Sequence, residues 1–320
     1  MPRKEKKPDN IYRTSIGGQA LIEGLLMRGP FKQAIVCRKP DGSLVVKEDD
    51  LKLTKARHPI LGWPIIRGVV IFGDSMAKGM QAVSWSAEQQ PEDEEEPAEP
   101  SKFDQWVEKK FGWEKAQKII LGVAMFLGIA LSVVLFFFLP TLLAGLFSPI
   151  VHSTILKNLI EGVIRVAIFL LYLWGTTRMK DVRRMFSYHG AEHKTIHCYE
   201  RGLPLTVENV RKMPRQHPRC GTSFLFVVMI VSILVLMFIT WSNTILRLLI
   251  RLVLIPVIVG ISYEINRWAG RHDNLLSRIL VWPGLKLQNL TTFEPDDSMM
   301  EVGIEALNRV IPEEKGADQW

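Results

Sequence analysis

The chain has 320 residues, 48% of them hydrophobic and 23% charged, with a net charge of +7. That balance excludes a disordered chain, and three scattered cysteines exclude a disulfide-stapled mini-domain. The mean hydropathy of +0.12 is high for a soluble protein, and the apolar residues lie in blocks, so the basic excess points to an anionic membrane surface.

Residues 1–11 read as a disordered basic tail, with no cleavable apolar core behind it. Residues 12–87 read as an N-terminal cytoplasmic unit. Its first motif, Gly17-Gly18-Gln19-Ala20 through Gly29-Pro30, sets Gln19 and Glu23 at i,i+4. The structural expectation there is an amphipathic docking helix; the functional one is that Glu23 and Arg28 complete a site formed elsewhere. The glycines permit close backbone approach, but the Lys-Ser/Thr of a phosphate-binding loop is missing.

Residues 34–38 and 43–47 are β-rich and flank Lys39-Pro40-Asp41-Gly42, whose turn chemistry predicts a hairpin. The glycine-punctuated apolar stretch 60–85, interrupted by Arg67, Asp74 and Lys78, predicts an interfacial helix or helix pair. An inserted or re-entrant segment is the second reading. Residues 88–101, with the acidic run Glu92–Glu96 and three prolines, form a solvated linker. Phe103, Trp106, Phe111 and Trp113 among lysines mark an interfacial anchor before the membrane.

Residues 102–310 read as a bundle of about four transmembrane helices. Residues 119–139 carry no charge and, at about 1.5 Å per residue, reach across a bilayer core. Residues 222–241 form a second such run. Weaker spans are 155–175, with Glu161 and Arg165, and 245–261, with Arg247, Arg251 and Pro256. Glu161 is expected to neutralise at least one arginine; snorkelling to the interface is the plainer alternative. The loop 140–154 holds no Lys or Arg, whereas 176–221 is rich in both. That asymmetry puts both termini and the central loop in the cytoplasm, and a tight turn at 242–244 outside. The fold class is thus a mainly α, multi-pass protein of the cell (inner) membrane, with a small hairpin-containing N-terminal unit.

The central loop carries the sharpest chemical signal. His189-x-x-Glu192-His193 matches the pattern of inverted zinc peptidases, with two imidazoles one helical turn apart. Glu192 is placed to act as base on a water at the metal. His217-x-x-Cys220 has chelate spacing, and Cys220 precedes a span, where a helix N-terminus favours thiolate. His197 lies about 12 Å along the axis from His189 and falls outside the set, with Cys198. The expected ligands are His189, His193, His217 and Cys220, holding a divalent metal, zinc by donor type. Four protein ligands close a tetrahedral site, whereas a catalytic site usually leaves one position for water. Hydrogen-bonded histidines without metal are the alternative. At the end of the fourth span, Glu264 and Arg267 are set for a local pair, and 297–310 predicts a terminal helix before a tail at 311–320.

These residues resemble a known family. The first motif together with His189-Gly190-Ala191-Glu192-His193-Lys194-Thr195, Thr206-Val207-Glu208-Asn209-Val210 and Arg219-Cys220-Gly221-Thr222-Ser223-Phe224 is similar to the YqhQ-like family of bacterial membrane proteins. The resemblance covers roughly residues 12–310. It implies a bacterial membrane location and a metal-dependent enzyme of no stated substrate. Position by position it carries over to His189, Glu192, His193, His217 and Cys220, with Gln19, Glu23 and Arg28 from the first motif.

The functional expectation is a cytoplasm-facing metal-dependent hydrolase acting at the membrane interface, with Glu192, Glu23 and Arg28 as its catalytic residues and membrane lipid as partner. The alternative is a non-enzymatic scaffold, its structural metal or histidine cluster supporting recruitment of a cytosolic partner or anionic lipid. A transporter is third, and no nucleic-acid motif accompanies the basic loop.

Overall fold

The computed structural model describes residues 12–51, 59–90, 102–147, 149–239, 244–272 and 274–319. The basic tail, the run Glu92–Glu96 and the outer turn at 242–243 lie outside the described residues, as do the side chains of Phe103, Phe111, Trp113 and Arg247. The chain divides into two compact units. One comprises Met1–Gln90, Leu173–Val231 and Ile255–Trp320, and the other Pro91–Tyr172 and Ser232–Leu254.

The first unit is built on a four-stranded antiparallel sheet in chain order: β1 (Gly17–Leu21), β2 (Gly24–Arg28), β3 (Lys32–Arg38) and β4 (Leu44–Asp50). The expected hairpin is β3–β4, in register from Arg38↔Leu44 to Lys32↔Asp50. The first motif is a correction. It forms a second hairpin, not a helix, so Gln19 and Glu23 share no helical face, and Glu23 sits in the turn at φ 50°.

The cause is burial of both sheet faces. Leu25, Met27, Ala34 and Val36 face one core, which also holds Tyr188, Ala191, Met300, Val302 and Leu307. Leu21, Leu26, Ile35 and Cys37 face another, closed by Ala82. A strand covered on both sides is a continuous apolar run, and periodicity alone does not separate it from a buried helix.

Ala82 belongs to α1 (Ile66–Glu88), one helix across the stretch expected to be a helix or helix pair. On the other face lie α6 (Lys180–Glu200) and α12 (Asp297–Asn308), which pack on each other and on the sheet. The terminal helix is thus present, ending at Asn308, with the Asp296 carboxylate capping the Met299 amide at 3.0 Å. Between them run the short α7 (Val207–Arg211) and, after α10 (Ile255–Arg271), α11 (Leu275–Thr291). Glu264 of α10 takes Arg67 of α1 as its hydrogen-bonded partner, Nε to Oε1 at 2.7 Å, in place of the expected local Arg267.

The second unit contains α2 (Lys102–Phe111), α3 (Trp113–Val133), a π turn (Val134–Phe138), α4 (Leu139–Gly145), most of α5 (Thr154–Thr176) and α9 (Thr244–Val253). Among the described residues, two helices are long and apolar enough to cross a membrane: Gly122–Gly145, with mean hydropathy 2.6, and Thr154–Thr176, with 1.7. The other two expected spans are not continuous helices of that length. α8 (Gly221–Leu236) has 16 residues, about 24 Å. The fourth run is broken between α9 and α10, next to Pro256, which has no amide to donate.

The first of these helices runs past the expected end of its span, through Pro140. Proline at that position leaves the Phe136 carbonyl without its helical donor. The π turn absorbs the defect, and Arg165 Nε donates to Phe136 O at 2.9 Å. Glu161 neutralises arginine as expected. Its Oε1 takes Arg165 Nη2 at 3.0 Å, Thr141 Oγ1 at 3.0 Å and the guanidinium of Arg251. Arg251 also donates to Asn158 Oδ1 at 3.2 Å.

Candidate metal centre

α6 carries His189, His193, His197 and Glu200 at i, i+4, i+8 and i+11, a single stripe along the helix. From Tyr188 onward nearly every side chain is buried. Gly190 makes this possible: a Cβ there would run into the Phe293 carbonyl and touch Pro295 Cδ at 3.4 Å. α6 therefore lies against the segment joining α11 to α12, and Phe293 N donates to Phe186 O at 3.0 Å.

That packing fixes the imidazoles. His189 Nδ1 donates to Thr291 O at 2.8 Å and His193 Nδ1 to Arg215 O at 2.6 Å. Both rings then turn Nε2 inward, the arrangement in which a backbone carbonyl holds a ligating histidine from behind. His189 Nε2 lies 3.1 Å from Cys220 Sγ. The ligand atoms of His189, His193 and Cys220 all fall within 4.8 Å of one another. His193 Nε2 and Glu192 Oε2 are buried and make no hydrogen bond among the described residues. Glu192 is 5% exposed, and its other oxygen accepts from the Gly18 amide at 2.8 Å.

The charges follow from this proximity. Burial opposes a thiolate at Cys220, but His189 and His193 outweigh it and hold the thiol well below its ordinary value; the Thr222 amide at 3.4 Å adds support. Burial also opposes a charged His189, yet the Cys220 charge and hydrogen bond raise it to about 9. Glu192 is pushed up by burial, against the pull of both histidines. The donor set of two imidazole nitrogens and a thiolate suits zinc, and an orphaned nitrogen and carboxylate oxygen mark where an ion and a water would be satisfied.

Three of the four expected ligands thus come together. His217 belongs to a second group with His197 and Glu200. Its ring stands 5.6 Å from that of His193, and its Nε2 is 3.4 Å from Glu200 Oε2. Glu200 Oε1 also accepts from the Thr14 amide at 3.0 Å and pairs with Arg219, while His197 Nε2 donates to Gln216 O at 2.8 Å. Gln288 clamps the His217 backbone, accepting at 2.7 Å and donating at 2.8 Å. Burial and the Arg219 charge keep His217 well below its usual value. With a guanidinium already on the carboxylate, this second group is a closed ion-paired network and repels a further cation.

Glu23 and Arg28 do not join the cluster. Glu23 accepts from Arg184 Nη2 at 2.6 Å and Tyr188 Oη at 3.1 Å, and Arg28 Nη2 donates to Asp74 Oδ2 at 2.9 Å. The first motif reaches the site instead through the Gly18 amide. Glu200 was discoverable from the stripe that His197 continues; the carbonyls of Thr291 and Arg215 leave no signal in side-chain identity.

A chamber of about 100 Å³ opens beside the cluster, lined among others by Gly17, Gly18, Glu192, His193, Arg219 and Cys220. A cavity of about 510 Å³ shares Ser15, Gly17 and Gly18 with it, and one of about 430 Å³ shares Arg219.

Residues 63–313 match a family described as protein of unknown function, DUF1385. An uncharacterized protein of Bacillus subtilis (strain 168), YqhQ, is 34% identical over 309 residues, covering 95% of this chain and 94% of that one. No solved structure matches. The chain belongs to the DUF1385 family, whose function is not known, and with it to the relatives of YqhQ that its motifs resemble.

Proposed function

We propose that the protein is a multi-pass protein of the bacterial cell membrane, with both termini in the cytoplasm, that works as a metal-dependent hydrolase at the inner interface. Its proposed metal ligands are His189, His193 and Cys220, and its proposed base is Glu192. The observation that carries the reading is the pair of orphaned buried atoms, His193 Nε2 and Glu192 Oε2, on residues that line a chamber with Cys220, whose thiolate the histidines stabilise. Four crossings are supported by charge asymmetry and by the apolar α8, two of them with helices long enough on their own.

A bound divalent ion would supply Lewis acidity, polarising a substrate oxygen and acidifying a water. The chain's own part is to hold and move the proton. The Gly18 amide fixes Glu192 Oε1, which leaves Oε2 to take a proton from water in the chamber and return it to the leaving group. Burial raises the Glu192 carboxyl above its ordinary value, which makes it a better proton acceptor. Arg219 on the chamber wall offers positive charge to an anionic intermediate.

The small chamber favours a second reading, a structural metal in a scaffold. The two part on Glu192→Gln. Hydrolysis requires that this variant keep its metal and lose turnover of membrane lipid, followed by mass spectrometry of lipid products in protein-containing nanodiscs. A variant that kept both would leave the scaffold.

A further inference from the structure

Thr14, Ser15 and Ile16 form one wall of the chamber that Glu192, His193 and Cys220 also line. Ser15 lines the cavity of about 510 Å³ as well, so this short stretch stands between the two spaces. Their sizes differ in kind. Small-molecule sites occupy roughly 300–1,000 Å³. The larger cavity falls in that range, whereas the chamber, at about 100 Å³, falls below it. As it stands the chamber takes water or a small reacting group; anything larger has to displace its wall.

That wall is not part of the sheet. Thr14 makes one isolated antiparallel bridge, to Gln319, and Ile16 is anchored in the core with Leu25 and Met27. Two amides help to hold it: Ser15 N donates to Asp318 O at 2.5 Å and Thr14 N to Glu200 Oε1 at 3.0 Å. The rest of the hold comes from one side chain. Asp318, 1% exposed, accepts from Thr14 Oγ1 at 2.5 Å, from Tyr199 Oη at 3.1 Å and from Tyr12 Oη. Gly316, at φ 89°, turns the chain into this position, and Gln319 N closes the turn on Gly316 O at 3.0 Å.

Tyr199 projects from α6, the helix that carries the histidines, so one carboxylate ties the wall to that helix. The Tyr12 and Tyr199 rings also meet edge to face, with centroids 6.0 Å apart. Burial, and then Asp318, raise both phenols above their ordinary value, so both stay protonated donors. Loss of the Asp318 carboxylate releases three hydroxyls at once. Tyr12, Tyr199 and Asp318 are not among the described residues that line the chamber, so changes at them act on it only through the wall.

We propose that Thr14 and Ser15 form a gate between the larger cavity and the chamber, with Asp318 as its latch. Asp318 is a positioning residue. Closed, the latch holds the wall against α6 and keeps bulky solutes from Cys220. Released, it lets the chamber join the cavity and admit a substrate-sized group. The gate needs no metal; that what it admits is hydrolysed rests on the reading above.

The test reads Cys220 in metal-free, full-length protein in nanodiscs. The thiol is alkylated at neutral pH with iodoacetamide or with the bulkier fluorescein maleimide, and the products are mapped by mass spectrometry. Wild type should discriminate against the bulky reagent. A hydrogen bond to a charged acceptor shifts an opening equilibrium about tenfold or more. Asp318→Ala should therefore raise the fluorescein maleimide rate at Cys220 by at least about tenfold, and the iodoacetamide rate by much less. Tyr12→Phe/Tyr199→Phe keeps both rings, removes two of the three hydroxyl donors and should move the ratio of the two rates the same way. It decides the question if Asp318→Ala fails to fold. Cys37 and Cys198 should stay unmodified throughout. An unchanged ratio in the phenylalanine pair would overturn the gate. So would Cys37 and Cys198 opening in step with Cys220, the mark of general loosening. The hydrolase reading fails separately: a wild type that binds no zinc, with latch variants that still open, would lose the metal site and keep the gate.

Discussion

Gly18→Ala and Gly17→Ala are adjacent, chemically identical changes with opposite expected outcomes. A Cβ on Gly18 would stand 3.0 Å from Met27 Sδ and 3.1 Å from Glu192 Cδ, and closer still to the Leu26 carbonyl. The methionine sulfur can swing aside. The carbonyl belongs to a paired strand and Glu192 is buried, so β1 must shift. Overpacking of this kind costs about 1–3 kcal/mol. The same shift breaks the 2.8 Å bond from the Gly18 amide to Glu192, worth about 1.5–3 kcal/mol when the acceptor is charged. One displacement causes both losses, so they overlap, and about 2–3 kcal/mol is expected in total. A Cβ on Gly17 meets nothing within 4 Å. Its reduced unfolded-state entropy is worth about 0.4–1 kcal/mol of stabilisation. The two variants should therefore differ by roughly 2–4 kcal/mol, or about 5–15 °C in apparent Tm. Thermal scans of tryptophan fluorescence on the purified full chain measure it. Equal Tm values, or the larger drop in Gly17→Ala, would refute the placement of β1 against Glu192.

In metal-free protein Cys220 should be the thiol that alkylates at neutral pH, because its thiolate is already formed. Its rate should change little between about pH 7 and about pH 8, where the rate of an ordinary thiol is still rising with pH. Cys37, which burial pushes up to about 12, and Cys198, which burial also raises, should stay unmodified, as peptide mapping would show. In the second unit, Glu161→Ala should destabilise by about 3–5 kcal/mol, since it strips the partner from two buried arginines. An unchanged Tm in detergent would mean that this cluster is not the support it looks to be.

What could be read in advance followed from local chemistry. Lys39-Pro40-Asp41-Gly42 fixed the β3–β4 turn, the uncharged 119–139 run marked a helix long and apolar enough to cross a membrane, and Glu161 found its arginines. The β1–β2 hairpin was hidden because Leu25, Leu26 and Met27 are buried on both faces, so no alternation survives. Pro140 and Pro256 displaced helix ends in ways that hydropathy does not register, one bridged by a π turn and an arginine, the other left as a break. At the site, the i,i+4 imidazoles and the distant Cys220 were legible because ligand chemistry restricts residue types. The separation of His217 from them was not, because it depends on Gln288 and Arg219, which tertiary packing delivers. Glu23 and Arg28 looked eligible by charge alone and are satisfied elsewhere by Arg184 and Asp74.

Metal content per chain, measured by mass spectrometry on purified full-length protein and its alanine variants, tests the central claim most directly. About one zinc per chain is expected in the wild type and in His217→Ala, with loss in His189→Ala, His193→Ala and Cys220→Ala. Zinc that survives removal of His193 or Cys220, or that leaves with His217 alone, would contradict the account.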